Sequence, residues 1–137
     1  MKKSASILVV VSVAVVLLIA FGIQAQNAQS PAAVMRKIAL KQDMNIPGRE
    51  AVMAWVELPP GSAEGKHTHP AEVYAFVLQG TILLQAAGKP DATLKAGDVF
   101  YIAPGQVHQA INASDAPAKL AAVFVTEKGK PLTTKAE

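Results

Sequence analysis

Residues 61–80 read GSAEGKHTHPAEVYAFVLQG, and within them His67 and His69 stand two apart. Successive side chains of an extended strand alternate between faces, so i and i+2 share a face and both imidazoles can point at one atom. The chain has one further histidine, His108, which follows Pro104-Gly105 at the start of another apolar run. Neutral imidazole is a common ligand for transition metals. Two from one strand and one from a neighbour make a three-nitrogen site that leaves coordination positions open for solvent or substrate. A His-x-His pair alone also fits an exposed polar strand face, so the surrounding residues must decide between the two.

Outward from this stretch, apolar runs of four to nine residues are broken at short intervals by Gly, Pro, Asn or Asp. No segment sustains the i, i+3, i+4 pattern of a helix for long. The runs predict strands over 36–42, 51–58, 66–69, 73–78, 81–86, 92–95, 99–102, 107–112 and 119–126. Pro59-Pro60-Gly61, Gln79-Gly80, Gly88-Lys89-Pro90 and Pro104-Gly105 supply the turns, by fixing φ or permitting it to be positive. Many short strands with apolar residues on both faces imply an all-β fold closed into a barrel or a two-sheet sandwich, because closure removes exposed edges. Gly61, Gly80, Gly97 and Gly105 read as turn residues; no phosphate-cradling glycine pattern occurs.

The order Gly61, five residues, His67-Thr68-His69, a short spacer with Glu72, then Gly80 resembles the first motif of the cupin superfamily. Residues 97–112 resemble the second: Gly97, a turn at Pro104-Gly105, two residues to His108 and three more to Asn112. The motifs stand in the right order, 16 residues apart, and the resemblance covers about 35–130. It implies an antiparallel jelly-roll β-barrel with a metal held inside its mouth by His67, His69 and His108. Two departures stand out. The family's glutamate ligand falls at the position of Val73, one residue after Glu72, and on a regular strand that offset turns Glu72 to the opposite face. The motif's proline falls at Ala103 and is shifted here to Pro104, which alters the turn without removing it.

A three-histidine site without a carboxylate is therefore expected. Gln85, on the strand after Gly80, is a candidate for the pocket, as a weak oxygen ligand or a hydrogen-bond donor to substrate; the alternative is an exposed strand glutamine. Glu72 and Tyr101 are the candidate proton-transfer groups near the motifs. Tyr74, Phe76, Phe100, Tyr101 and Trp55 either line a pocket or pack as ordinary strand aromatics. Imidazole donors without a hard carboxylate favour Zn or Cu as the one divalent transition metal, with Fe, Ni or Mn behind them.

Lys2 and Lys3 precede an apolar run from Ile7 to Phe21 and a small, polar stretch ending in Gln24-Ala25-Gln26. That layout predicts a signal peptide over 1–25 cut after Ala25, or else an uncleaved anchor that is the chain's one attachment to a membrane. Both place the domain outside the cytoplasm, in the periplasm or extracellular space. Residues 26–34 read as a linker, 35–130 as the barrel and 131–137 as a tail, with Lys128-Gly129-Lys130-Pro131 read as a fraying loop. Without 1–25 the chain has 11 basic and 10 acidic residues, and the net charge falls from +3 to +1. With no basic cluster and few aromatics, nucleic acid is not an expected partner. Cysteine is absent, so stability must come from the core, helped by a metal or by a second copy in a homodimer. The resemblance implies a metal-dependent enzyme acting on a small molecule, the dioxygenase type first, with isomerase and decarboxylase as further options. A non-catalytic binding protein for a metal, small acid or sugar is the alternative from a different class.

Overall fold

The computed structural model describes residues 32–137. The signal or anchor segment 1–25 and all but the last three residues of the expected linker lie outside the described residues. Ten strands follow: β1 (Met35–Asp43), β2 (Arg49–Leu58), β3 (His67–Thr68), β4 (Ala71–Gln79), β5 (Thr81–Ala86), β6 (Ala92–Lys95), β7 (Val99–Ile102), β8 (His108–Ile111), β9 (Ala118–Glu127) and β10 (Thr134–Lys135). Nine match the strands expected from the sequence to within two residues at each end. They form two five-stranded antiparallel sheets, ordered β1-β2-β9-β4-β7 and β10-β3-β8-β5-β6. This is the all-β jelly roll that the resemblance implied.

Alternation builds the core. Val52, Ala54, Val56 and Leu58 of β2 face inward, as do Ala71, Val73, Ala75 and Val77 of β4, Ile82, Leu84 and Ala86 of β5, and Leu120, Ala122 and Phe124 of β9. The outward positions of β4 and β7 carry Tyr74, Phe76, Leu78, Val99 and Tyr101, all exposed. The aromatic side chains of Trp55, Tyr74, Phe76 and Tyr101 thus decorate the outside of one sheet. Of the aromatics weighed for the pocket, Phe100 alone lines it.

The tail is tied to the barrel. Thr134 pairs with Thr68 and Lys135 with His67, adding β10 to the edge of β3, and Leu132 packs against the core. The segment is too short and polar to show a strand period of its own. Its order comes from the partner edge, which the sequence does not display.

Two motif residues hold the barrel's loops. Asn112 is fully buried; its amide donates to the carbonyls of Leu58 and Ala116, each at 2.8 Å, and its Oδ1 accepts from the Ser114 amide at 3.0 Å. It ties the end of β2 to the turn leading into β9. Gly80 sits between β4 and β5 at φ +76°, and a Cβ there would meet the Pro117 carbonyl oxygen at 2.7 Å and Ala118 Cα at 2.9 Å. Both obstacles are backbone, so they cannot swing aside. Asn112→Ala should cost about 2–3 kcal/mol by leaving buried carbonyls without donors. Gly80→Ala should cost at least ~1–2 kcal/mol from the left-handed backbone alone. Thermal unfolding should register a Tm loss of roughly 10 °C for the first; an unchanged Tm in either variant would contradict these roles.

Candidate metal centre

The candidate metal site begins with one register. β3 and β8 are antiparallel with His67 directly opposite His108, which places both side chains on the same face. His69 follows two residues after His67, past the end of β3, and its carbonyl accepts the Gly105 amide at 2.8 Å. The turn of the second motif thus clasps the histidine of the first. That turn survives the shift of its proline: the Gln106 amide donates to the Ala103 carbonyl at 3.1 Å.

All three imidazoles are 5 % exposed. Their ring centroids are 4.3, 4.8 and 4.9 Å apart, and one ring nitrogen of each lies within 4.8 Å of the others. Imidazoles sharing an ion at ~2.1 Å from each nitrogen bring their rings to about this spacing. Each Nδ1 faces a backbone carbonyl: His67 that of Gly65 at 2.8 Å, His108 that of Gln106 at 3.0 Å, and His69 that of Leu132. A carbonyl only accepts, so each Nδ1 carries the proton and donates it, leaving the Nε2 lone pair as the available donor atom. Burial lowers the His69 pKa from 6.5 to about 4, with the charges of His108, His67 and Arg36 adding to the effect against the raising bond to Leu132. Burial also lowers that of His108. Oriented and convergent, the triad is a donor set able to hold one metal ion.

A cavity of about 90 Å³ opens over the triad, walled by Val73, Leu84, Phe100, Ile102, Phe124 and four alanines, Ala54, Ala75, Ala110 and Ala122. Those small inward residues are why a void exists at the level of the histidines. Arg36, Glu64 and Thr133 are its other polar lining residues.

The candidates separate by strand face. Val73 points inward at the position where the resemblance places a glutamate, while Glu72 is exposed. Glu72 lies on the outer surface, where its carboxylate accepts from Tyr74 Oη at 3.1 Å and Tyr101 Oη at 3.4 Å. The hydrogen bond to Glu72 raises the Tyr74 pKa, and desolvation with the Glu72 charge raises that of Tyr101. Glu72 and Tyr101 as proton-transfer groups are thus corrected: they form an outer-face cluster on the far side of the sheet. Gln85 is corrected for the same reason. It alternates outward between buried Leu84 and Ala86, donates to Asp91 at 2.7 Å and accepts from Gln109 at 2.7 Å.

Arg36, Glu64 and the Leu132-Thr133 strap escaped the sequence reading. Glu64 lies in the spacer before His67, and its position was a signal left unused. Arg36 and Leu132 lie far away in the chain and carry none.

Fold and site together define a small double-sheeted β-barrel with a three-imidazole donor set in its mouth. The chain belongs to the cupin family, whose cupin domain matches residues 54–125, more than half of the chain. It is 38 % identical over 89 residues to germin-like protein subfamily 2 member 1 of Arabidopsis thaliana, covering 59 % of this chain and 41 % of that protein. It is 34 % identical over 76 residues to the oxalate-binding protein of Thermotoga maritima, covering 54 % of this chain and 61 % of that one. The chain thus spans roughly half the length of these relatives. Among solved structures, a conserved double-stranded β-helix protein of Klebsiella pneumoniae superposes with a TM-score of 0.64 at 23 % identity, over 82 % of this chain and 90 % of that one. A recombinant oxalate oxidase in complex with glycolate superposes at 0.62 with 22 % identity, over 82 % and 59 %. At these identities the superpositions establish the fold.

The depressed His69 pKa has a consequence for the metal-free protein. Between pH 6.5 and about 4 the unfolded chain binds a proton that the folded chain excludes, so this stabilisation is complete above 6.5 and lost as pH falls. The loss should reach at most about 3 kcal/mol. Thermal melts of metal-free protein from pH 7.5 to 4 should show it, with a flatter profile for His69→Gln; parallel profiles would refute it.

Proposed function

We propose that this protein is an exported metal-dependent enzyme of the dioxygenase type acting on a small organic substrate, with His67, His69 and His108 holding one divalent transition metal. The observation that carries this reading is the triad itself: three buried imidazoles, each proton-fixed by a carbonyl, converging beneath a cavity. The bound metal supplies Lewis-acid chemistry and, when redox-active, O₂ activation. The protein's own part is to keep three Nε2 lone pairs aimed at one point, to exclude bulk water with an apolar wall, and to admit only small ligands. Names of related proteins support a small, oxygen-rich ligand: one binds oxalate and another was solved with glycolate.

A donor set of imidazoles alone favours Zn or Cu over Fe, Ni or Mn. Cu suits the dioxygenase reading, and Zn suits non-oxidative chemistry such as isomerisation or decarboxylation. The apolar run at 7–21 behind Lys2-Lys3 supports export, so that loading takes place outside the cytoplasm; an uncleaved run would be the one membrane attachment. The second reading, a non-catalytic binding protein, is favoured by one observation: the one carboxylate on the wall among the described residues, Glu64, is engaged by Arg36.

Elemental analysis of protein recovered from its exported compartment should return one Zn or Cu per chain. His69→Ala should lose the metal and keep the β-sheet circular dichroism signal, because the apolar core does not depend on the ion; loss of both would make the site structural. O₂ consumption by metal-loaded protein on a panel of hydroxy and keto acids tests catalysis. Binding without turnover across the panel would favour the second reading.

A further inference from the structure

Among the described residues, Arg36 is the one permanently charged cation on the cavity wall. It stands on β1, the edge strand of its sheet, and reaches across to Glu64, donating from Nη2 to Oε1 at 3.1 Å. A guanidinium carries five N–H donors in a rigid fork, and among the described residues this carboxylate oxygen is the one acceptor it meets. Glu64 is the fixed partner: its side chain is 9 % exposed against 43 % for Arg36. Its second oxygen accepts the Ala110 amide at 3.2 Å. Ala110 lies two residues beyond His108 on the same inward face of β8. Glu64 therefore anchors the guanidinium at the rim of the cavity by one bond, and its solvent-accessible N–H groups stay available to a ligand.

Charge and size then define what fills them. Arg36 and Glu64 offset one another, and among the described residues no carboxylate joins the triad, so a divalent ion on three neutral imidazoles would keep its positive charge. An anionic ligand meets both that charge and the exposed guanidinium donors. The cavity, about 90 Å³, is well below the ~300–1,000 Å³ of pockets for drug-sized ligands. It takes only a handful of non-hydrogen atoms.

We propose that Arg36 is the specificity-determining residue of this cavity and that it selects a small carboxylate of two to four carbons. The ligand's carboxylate pairs with the guanidinium while its other end faces the triad. This rests on the metal-binding reading above, and the two are separable by experiment. Calorimetric titration of the Zn-loaded protein with glycolate, and with ethylene glycol as an uncharged molecule of similar size, compares wild type, Arg36→Gln and Arg36→Lys. Metal content is read on the same samples. The expected result is wild-type binding of glycolate in clear preference to ethylene glycol. Arg36→Gln should lose about 10- to 100-fold in glycolate affinity with its metal stoichiometry unchanged, and Arg36→Lys should keep part of the affinity. Glycolate binding by Arg36→Gln equal to wild type, or no glycolate binding by metal-loaded wild type, would overturn the proposal while leaving the triad's metal intact. A wild type that takes up no metal sinks the metal reading instead, and the glycolate ratio between wild type and Arg36→Gln still decides the role of Arg36.

Discussion

The pairing of His67 with His108 across β3 and β8 is the constraint from which the site follows. Antiparallel register places two histidines of distant motifs face to face, and strand alternation brings His69 to the same side. A slip of one residue would turn His108 outward and dissolve the cluster. The register is held from several directions. β10 closes the free edge of β3, the Gly105 amide bonds the His69 carbonyl, and Glu64 bridges backbone and side chain to Ala110. The backbone that frames the triad also sets its protonation, since each Nδ1 donates to a carbonyl and each Nε2 is left to accept.

The same alternation decides what surrounds the triad. Alanines at inward positions of β2, β4, β8 and β9 leave space at the level of the histidines, whereas Leu58, Val77 and Ile82 fill the barrel away from them. A void lined by small apolar residues excludes bulk water and strengthens every electrostatic interaction within it. The few polar groups on its wall, Arg36, Glu64 and Thr133, therefore weigh more than their number suggests. Outside the sheet, Tyr74, Tyr101 and Glu72 form a hydrogen-bonded group that shares strands with the site but faces away from it.

Much of this architecture was legible from local pattern. Nine strands announced themselves by apolar runs between glycine and proline turns, because hydrophobic alternation and turn chemistry are properties of neighbours in sequence. The offset of Glu72 from Val73 was likewise readable, since a period of two assigns opposite faces to adjacent residues without knowledge of any partner strand. Gln85, readable either as a pocket group or as an outward strand glutamine, takes the second place because it alternates with the buried Leu84 and Ala86.

By itself, then, the sequence determined the all-β class through short-range spacing, and its resemblance to the two cupin motifs marked the three histidines as the metal-site candidates and Val73 as standing where a glutamate is expected. Tertiary structure decided the rest: that Thr134 and Lys135 pair with β3 while the Leu132 carbonyl is bonded to His69, that alanines from four strands open one cavity, and that Arg36 meets Glu64 28 residues away at its rim. Such features depend on which strands become neighbours. Pairing is settled by the packing of two whole sheets, and no local period encodes it.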